Sequence, residues 1–272
     1  MTILPKPLFE PLGDDTYKIK YPEQARAGLN LARKIESGEA GGEEAARGLE
    51  KALSAYPYNF TAAFVLSDLL AESGQVVKFC EVRYEACKSI FDILPEDGEI
   101  PTLNWESKDN QPLLFLLQAS AADHFVISDY ELSAAMLETA LELDPEDHLN
   151  VSKMLAYCYV ALDEPESYEE VIDDIDDKDP EKALVKLWAS FRFKGTLDPI
   201  LLKEVKGYKP LYSEFISPVH IISTEYLADI DSDRPSAEAR ARRVWFQTES
   251  LWNNSFADFI KALRDQAGLP LA

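Results

Sequence analysis

The chain has 272 residues, of which 46% are apolar, and carries a formal net charge of -22 at pH 7. Its length allows one large domain or two small ones, with enough apolar residues to build a core. So much negative charge repels nucleic-acid phosphates and anionic membrane surfaces, so we expect neither as a ligand. A basic protein partner would be attracted, although acid on a protein surface can also serve solubility alone.

The three cysteines, Cys80, Cys87 and Cys158, are an odd and sparse set that does not make a disulfide framework. Residues 1–7 contain no long apolar stretch, so we expect no signal peptide. The longest apolar runs, such as Pro112 to Leu117, are far too short to span a bilayer. These features predict a cytoplasmic protein.

Residues 1–21 are predicted to form an irregular or extended N-terminal arm, because several prolines and Gly13 interrupt them. Pro22 suits the first turn of a helix. From there, apolar residues recur at helical spacing between Pro and Gly breaks as far as residue 195. Asn59 is expected to cap the third helix, and a long fourth helix is predicted from about Val76 to Ile93.

Residues 96–111 are predicted to be a loop inserted between helices, since prolines punctuate them and helical periodicity is absent. We expect Trp105 to anchor this loop to the body of the protein. A second block of helices begins at Pro112 and continues to Gly195, which is a suitable helix stop.

In residues 196–272 the helical pattern weakens and then returns. Between Asp198 and Asp233 only residues 199–206 are predicted to be helical. Ser236 and Ser255 are expected to begin two final helices that pack on the earlier ones. No convincing strand alternation appears in the chain; residues 220–222 could belong to a short strand, but it would have nothing to pair with.

A recurring phrase identifies a repeat. Ala52-Leu53-x-x-x-Pro57 reappears as Ala140-Leu141-x-x-x-Pro145, and each time a helical run ends in Pro. Repeated helix pairs of this kind indicate a stacked array. These residues, with Gly74 between two helices and Tyr130 at the start of another, resemble the tetratricopeptide repeat (TPR) over residues 22–195. Ser133, Ser167 and Phe79 depart from the family pattern.

The resemblance implies an all-α fold: a right-handed superhelix of stacked antiparallel helix pairs, closed by a C-terminal helical cap. In this family the first helix of each pair lines a concave groove. The residues at matching positions form a mostly aromatic, weakly charged lining, which favours an apolar helix or extended peptide as the ligand. They are Phe64, Asp68, Phe115, Gln118, Phe125, Ser152 and Tyr159. Alternatively, residues 206–218 of the chain itself could fill the groove. The loop around Trp105 also resembles a spacer in certain bacterial repeat proteins of unassigned activity.

Sequence patterns typical of catalysis or cofactor binding are missing. Gly38-x-x-Gly41-Gly42 lacks the Lys-Ser or Lys-Thr of a phosphate loop. The three histidines have no zinc spacing; His124 is expected in the interior and His148 at the surface. The acidic run over residues 173–181 fails the calcium-loop pattern and is expected to be a solvated turn. We therefore expect no catalytic residue, metal or cofactor.

The sequence thus favours a non-catalytic scaffold that binds a protein or peptide, without nucleic acid or membrane. Two alternatives stay open. One is a metal-dependent hydrolase on a helical scaffold. The other is a self-associating structural protein in which Trp245 and Trp252 pack across a dimer. Arg240, Arg242 and Arg243, the one basic cluster, are expected to pair with nearby acid. The sequence leaves the oligomeric state open.

Overall fold

The computed structural model describes residues 4–96 and 99–269, and most of them are helical. The α-helices are α1 (Arg26–Glu36), α2 (Gly42–Ala55), α3 (Phe60–Glu72), α4 (Val76–Ile93), α5 (Gln111–Val126), α6 (Tyr130–Leu143), α7 (Ser152–Leu162), α8 (Pro165–Ile172), α9 (Pro180–Lys194), α10 (Pro199–Gly207), α11 (Lys209–Ile216), α12 (Thr224–Ile230), α13 (Ala237–Asn253) and α14 (Ala257–Gln266). A single turn of 3-10 helix, Glu23–Ala25, precedes α1. The helical class predicted from the sequence is confirmed.

The N-terminal arm is not irregular. Strands β1 (Leu8–Gly13) and β2 (Thr16–Lys20) form an antiparallel hairpin, and β3 (Thr102–Leu103) adds a short parallel partner to β2. The sequence prediction was wrong here because Pro11 lies within β1. Proline is tolerated on an edge strand, where no partner needs its missing N–H group.

Helix starts and stops follow the chemistry read from the sequence. The side-chain oxygens of Asn59 and Ser236 accept hydrogen bonds from the backbone N–H groups of Ala62 and Ala239, which caps α3 and α13. Gly195 adopts a left-handed φ of 74° immediately after α9, a conformation that costs glycine little. The long fourth helix has the predicted bounds.

The chain divides into two compact units. The first unit contains the residues up to His124 together with Leu132–Val151; the second contains Phe125–Glu131 and the residues from Ser152 onward.

In the first unit, α1 contacts both α2 and α3, and α3 contacts α4. Their apolar faces meet in a core that includes Ala32, Leu49 and Leu66. Gly28 marks the closest approach, since a Cβ atom at this position would lie 2.5 Å from Asn59 Nδ2. The glycine therefore lets α1 pack tightly against its neighbours.

The second unit has an aromatic core in which the C-terminal helices pack on α7 and α9. Trp252 of α13 packs edge-on against Trp188 of α9, with ring centroids 5.0 Å apart, and also contacts Tyr157 of α7. Trp245 stacks on His220. Both Trp245 and Trp252 are buried within their own unit, so the expectation that they pack across a dimer is wrong.

Three helices occupy the stretch from Asp198 to Asp233, of which only α10 was expected. Lys209–Ile216 forms α11, which contacts α10, α13 and α14. Leu211 and Phe215 are buried in these contacts. Most of the segment 206–218 is therefore a packed helix of the second unit, which corrects the view of it as a long loop free to fill a groove.

Candidate functional site

A cleft of about 690 Å³ opens on the first unit. Its walls come from α1, from α3, from the start of α5 and from the loop that precedes α5. The lining residues are Leu29, Arg33, Glu36, Thr61, Phe64, Lys108, Asp109, Gln111, Pro112 and Phe115. Two of the predicted groove residues, Phe64 and Phe115, thus lie together in one concave site.

Four rings form a row that starts in this site, three of them half-buried and the last exposed. The rings of Phe64 and Phe115 stack with centroids 5.4 Å apart and planes inclined by 23°. Trp105 meets Phe115 edge-on at 6.1 Å, and the ring of His148 stacks on Trp105 at 4.7 Å with planes inclined by 2°. We call Phe64, Phe115, Trp105 and His148 the aromatic row. The expectation that Trp105 anchors its loop is confirmed.

His148 is exposed, as the sequence predicted, and neighbouring carboxylates fix its ring. The buried carboxylate of Asp144 accepts hydrogen bonds from the His148 backbone N–H (2.9 Å) and lies 2.8 Å from Nδ1. Glu146 Oε2 lies 3.4 Å from Nε2 on the other side of the ring. A tight turn with Asp147 at a φ of 51° brings these groups together. His148 therefore ends the aromatic row as an oriented ring.

The loop that carries Trp105 is held by a buried amide. Asn110 is fully buried, and its Oδ1 accepts from the backbone N–H of Ile19 at 2.9 Å. Its Nδ2 donates to the carbonyl oxygens of Tyr17 and Asn104. One side chain thus joins β2 to the loop, and the loop position fixes one wall of the cleft. No specific sequence pattern indicated this role.

Charged side chains surround the aromatic rings. Arg33, Glu36 and Lys108 are exposed, and Asp109 is half-buried. The ion pairs described for the structured part of the chain include none between these four residues. The cleft therefore combines an apolar floor with mixed charge at the rim.

Asp68 and Gln118, also predicted for the groove, lie in the first unit but do not line this cleft. Asp68 is exposed on α3, and desolvation raises the pKa of its carboxyl while Arg83 opposes the shift. The Gln118 side-chain amide donates to the carbonyl oxygen of Leu149 at 2.9 Å. The Gln118 amide was expected to face a ligand. It stabilises the turn before α7 instead.

The other three predicted groove residues are buried in the second unit, which corrects their assignment to an open groove. Phe125 is 1% exposed, Ser152 2% and Tyr159 8%. Phe125 packs edge-on against Tyr130, and Ser250 of α13 donates to its carbonyl oxygen. The assignment failed because α7 is buried on nearly every side, so its periodicity does not distinguish a groove face.

A polar cluster that was not predicted lies in the second unit. It includes the end of the acidic run over residues 173–181, which was expected to be solvated. Glu181 is only 13% exposed, 3.9 Å from Lys153 Nζ, and Lys153 pairs with Asp179. Burial raises the pKa of Glu181 to about 7, with Lys153 opposing the shift. The buried hydroxyl of Tyr157 is also close enough to interact with Glu181. A sequence signal for the position of Glu181 was present, because Glu181 directly follows Pro180, which begins α9.

One arginine of the basic cluster, Arg242, pairs with acid as the sequence predicted. Arg242 makes a bidentate contact with the buried carboxylate of Glu214, at 3.2 Å from Nη2 to Oε2. Arg240 donates to the carbonyl oxygen of Pro235. Arg242 is therefore neutralised by Glu214, whereas Arg240 is exposed and contacts a backbone carbonyl oxygen instead of an acid.

Among residues 4–96 and 99–269, no group of three His, Cys, Asp or Glu side chains could hold a metal ion. Within the same ranges, every helix is too short or too polar to cross a membrane. No family model matches the chain, and the search of curated proteins found no match.

Proposed function

We propose that the chain is a non-catalytic scaffold of the cytoplasm that binds a segment of a partner protein in the cleft of the first unit. The observation that carries this proposal is the aromatic row. Half-exposed rings that are already stacked present apolar area at little conformational cost, which is typical of binding hot spots. An extended peptide or one face of a short helix could bury its side chains between Phe64 and Phe115.

The proposal includes a TPR-like architecture, with helix pairs stacked in a right-handed superhelix. Its support is the pattern of neighbours within each unit. In the first unit α1 contacts α2 and α3, and in the second α7 contacts α8 and α9. Each first helix thus touches its own partner and the first helix of the next pair, as repeat stacking requires.

The net charge suggests which partners would be favoured. At -22 the chain attracts basic segments, so a peptide with Lys or Arg flanking an apolar centre fits the cleft best. Glu36 and Asp109 at the rim would contact such flanks. The association rate should fall as salt screens this attraction.

A peptide-display selection followed by affinity measurements tests the proposal. We expect Phe115→Ala to weaken binding of a selected peptide by about tenfold or more, because the substitution removes a ring that packs against both Phe64 and Trp105. Trp105 lies beside Phe115, so a change in tryptophan fluorescence on titration is expected to report binding.

Phe91→Ala is the matched control. Phe91 is a phenylalanine of the first unit that is 36% exposed and does not line the cleft. Its substitution should leave the affinity unchanged. The proposal fails if Phe115→Ala and Phe91→Ala bind the peptide equally well, or if the wild-type chain selects no peptide.

A further inference from the structure

The connection between α11 and α12 exposes an unusual run of apolar side chains. Val219, Ile221 and Ile222 are 59%, 59% and 60% exposed, whereas His220 between them points inward and its side chain is 11% exposed. The backbone is extended at both ends of the run, at Ser217 and Ser223. This is the stretch in which the sequence showed a strand-like pattern without a partner. We call residues 217–223 the exposed segment.

The exposed segment is fixed to the second unit by His220. The His220 ring stacks on Trp245 with centroids 3.6 Å apart, and its Nδ1 lies 2.8 Å from Glu214 Oε1. The buried carboxylate of Glu214 is held in turn by Arg242, which also donates to the carbonyl oxygen of Ile221. The apolar side chains are therefore displayed from an ordered backbone, which lowers the entropy cost of binding.

The backbone of this segment has unused hydrogen-bonding capacity. Among the hydrogen bonds of the structured residues, none uses the backbone N–H groups of His220, Ile221 or Ile222. An ordered stretch with extended ends, free N–H groups and β-branched side chains is a template for pairing with another strand.

The absence of charged residues from the exposed segment indicates which kind of strand would pair with it. Residues 217–224 contain no Asp, Glu, Lys or Arg, in a chain with 49 acidic and 27 basic residues. A charged partner segment would find no counter-charge within this stretch, and Arg242 beside it is already paired with Glu214. An identical segment from a second copy would bring no charge, and antiparallel pairing about a two-fold axis would set β-branched side chains opposite each other.

We propose that two copies of the chain associate through the exposed segment by antiparallel strand pairing. The contact is small, so the dimer is weak and forms with rising concentration. Because each copy carries a net charge of -22, salt should strengthen the association by screening the repulsion. Binding of a basic peptide in the cleft of the first unit should respond to salt in the opposite direction, so the two proposals can fail separately.

Sedimentation velocity from about 5 to about 200 µM, at about 50 and about 500 mM NaCl, tests this. We expect the wild-type chain to shift from monomer to dimer with concentration, and to do so at lower concentration in high salt. The double variant Val219→Asp, Ile221→Asp should weaken dimerisation by about tenfold or more, because it places carboxylates opposite each other. Hydrogen exchange should slow at alternate amides within residues 220–222 only when the dimer is populated.

Ile200→Asp is the control, since Ile200 of α10 belongs to the same unit and is 78% exposed. It should dimerise like the wild type. Circular dichroism and thermal unfolding must show that the double variant stays folded. If the double variant unfolds, the milder substitution Ile222→Ser replaces it. Ile222→Ser is also expected to weaken the association. The proposal would be overturned if the wild-type chain stayed monomeric at every concentration. It would also be overturned if Ile200→Asp weakened dimerisation as strongly as the double variant does.

Discussion

The carboxyl group of Glu181 lies in the first turn of α9, where it interacts with Lys153 of α7 and Arg243 of α13. Burial raises its folded-state pKa to about 7, from an ordinary value of 4.5. Between these two pH values the folded chain holds a proton that the unfolded chain releases. The free energy of unfolding should therefore fall as pH rises from about 4.5 to above 7, by up to about 3 kcal/mol from this residue.

Replacing Glu181 with Gln removes that titration while keeping the shape of the side chain. We expect Glu181→Gln to flatten the pH dependence of unfolding between about pH 5 and pH 8, and to make the chain more stable than the wild type at the upper end. Urea unfolding at several pH values measures this. Glu169→Gln, at an exposed position of α8, should follow the wild-type curve. Parallel curves for Glu181→Gln and the wild type would show that Glu181 titrates normally.

Individual residues also show how far the binding site could be predicted. The predicted repeat register placed Phe64 and Phe115 together although they are 51 positions apart, and the two residues do occupy the same turn of α3 and α5. It failed for Phe125 and Tyr159, since periodicity reveals the apolar face of a helix but not which later segment covers it. Ser250 and Phe256, more than a hundred residues further on, contact Phe125 and Tyr130.

At the scale of elements, most helices were predictable, whereas α11, α12 and the strands were not. Proline, glycine and capping side chains are local signals, so the bounds of α4 and the cap of α3 could be read from a few neighbouring residues. The hairpin depends on a partner strand at Thr102–Leu103, more than eighty residues away, and on the Asn110 amide. A short edge strand with an internal proline gives little local pattern from which to predict such pairing.

The link between hairpin and loop can be tested at Asn110. Asn110→Leu has a similar size but leaves the buried N–H of Ile19 without its partner and removes the amide hydrogen bonds to the carbonyl oxygens of Tyr17 and Asn104. We expect the free energy of unfolding to fall by about 2 to 4 kcal/mol. Asn30→Leu, at an exposed site on α1, should change it little. Denaturant unfolding measures both variants.

The same substitution should affect the cleft. If Asn110 positions the loop, Asn110→Leu should also weaken peptide binding under conditions where the chain is still folded, because Trp105 and Lys108 lie on that loop. Faster hydrogen exchange at the amide of Ile19 would locate the change in the hairpin. Unchanged stability and unchanged exchange in Asn110→Leu would show that the amide does not hold the hairpin and loop together.

At the scale of the whole molecule, charge is the dominant feature. With 49 acidic and 27 basic residues, the folded chain holds far more negative than positive charge in a small volume. The ion pairs of the structured residues neutralise only part of it, and several of them are exposed, such as Lys6 with Asp92 and Lys261 with Asp265. Exposed pairs contribute about 1 kcal/mol or less each. Net self-repulsion should therefore oppose the compact state.

Salt should stabilise this chain because it screens that repulsion. We expect the midpoint of thermal unfolding to rise between about 20 and about 300 mM NaCl, with most of the gain complete once the screening length has fallen below about 10 Å. Measurements at low protein concentration keep self-association from contributing. Choline chloride at equal ionic strength should act like NaCl, since screening does not depend on the identity of the cation. A larger effect of one cation would indicate specific binding, and a falling midpoint would show that the exposed ion pairs outweigh the excess of acid.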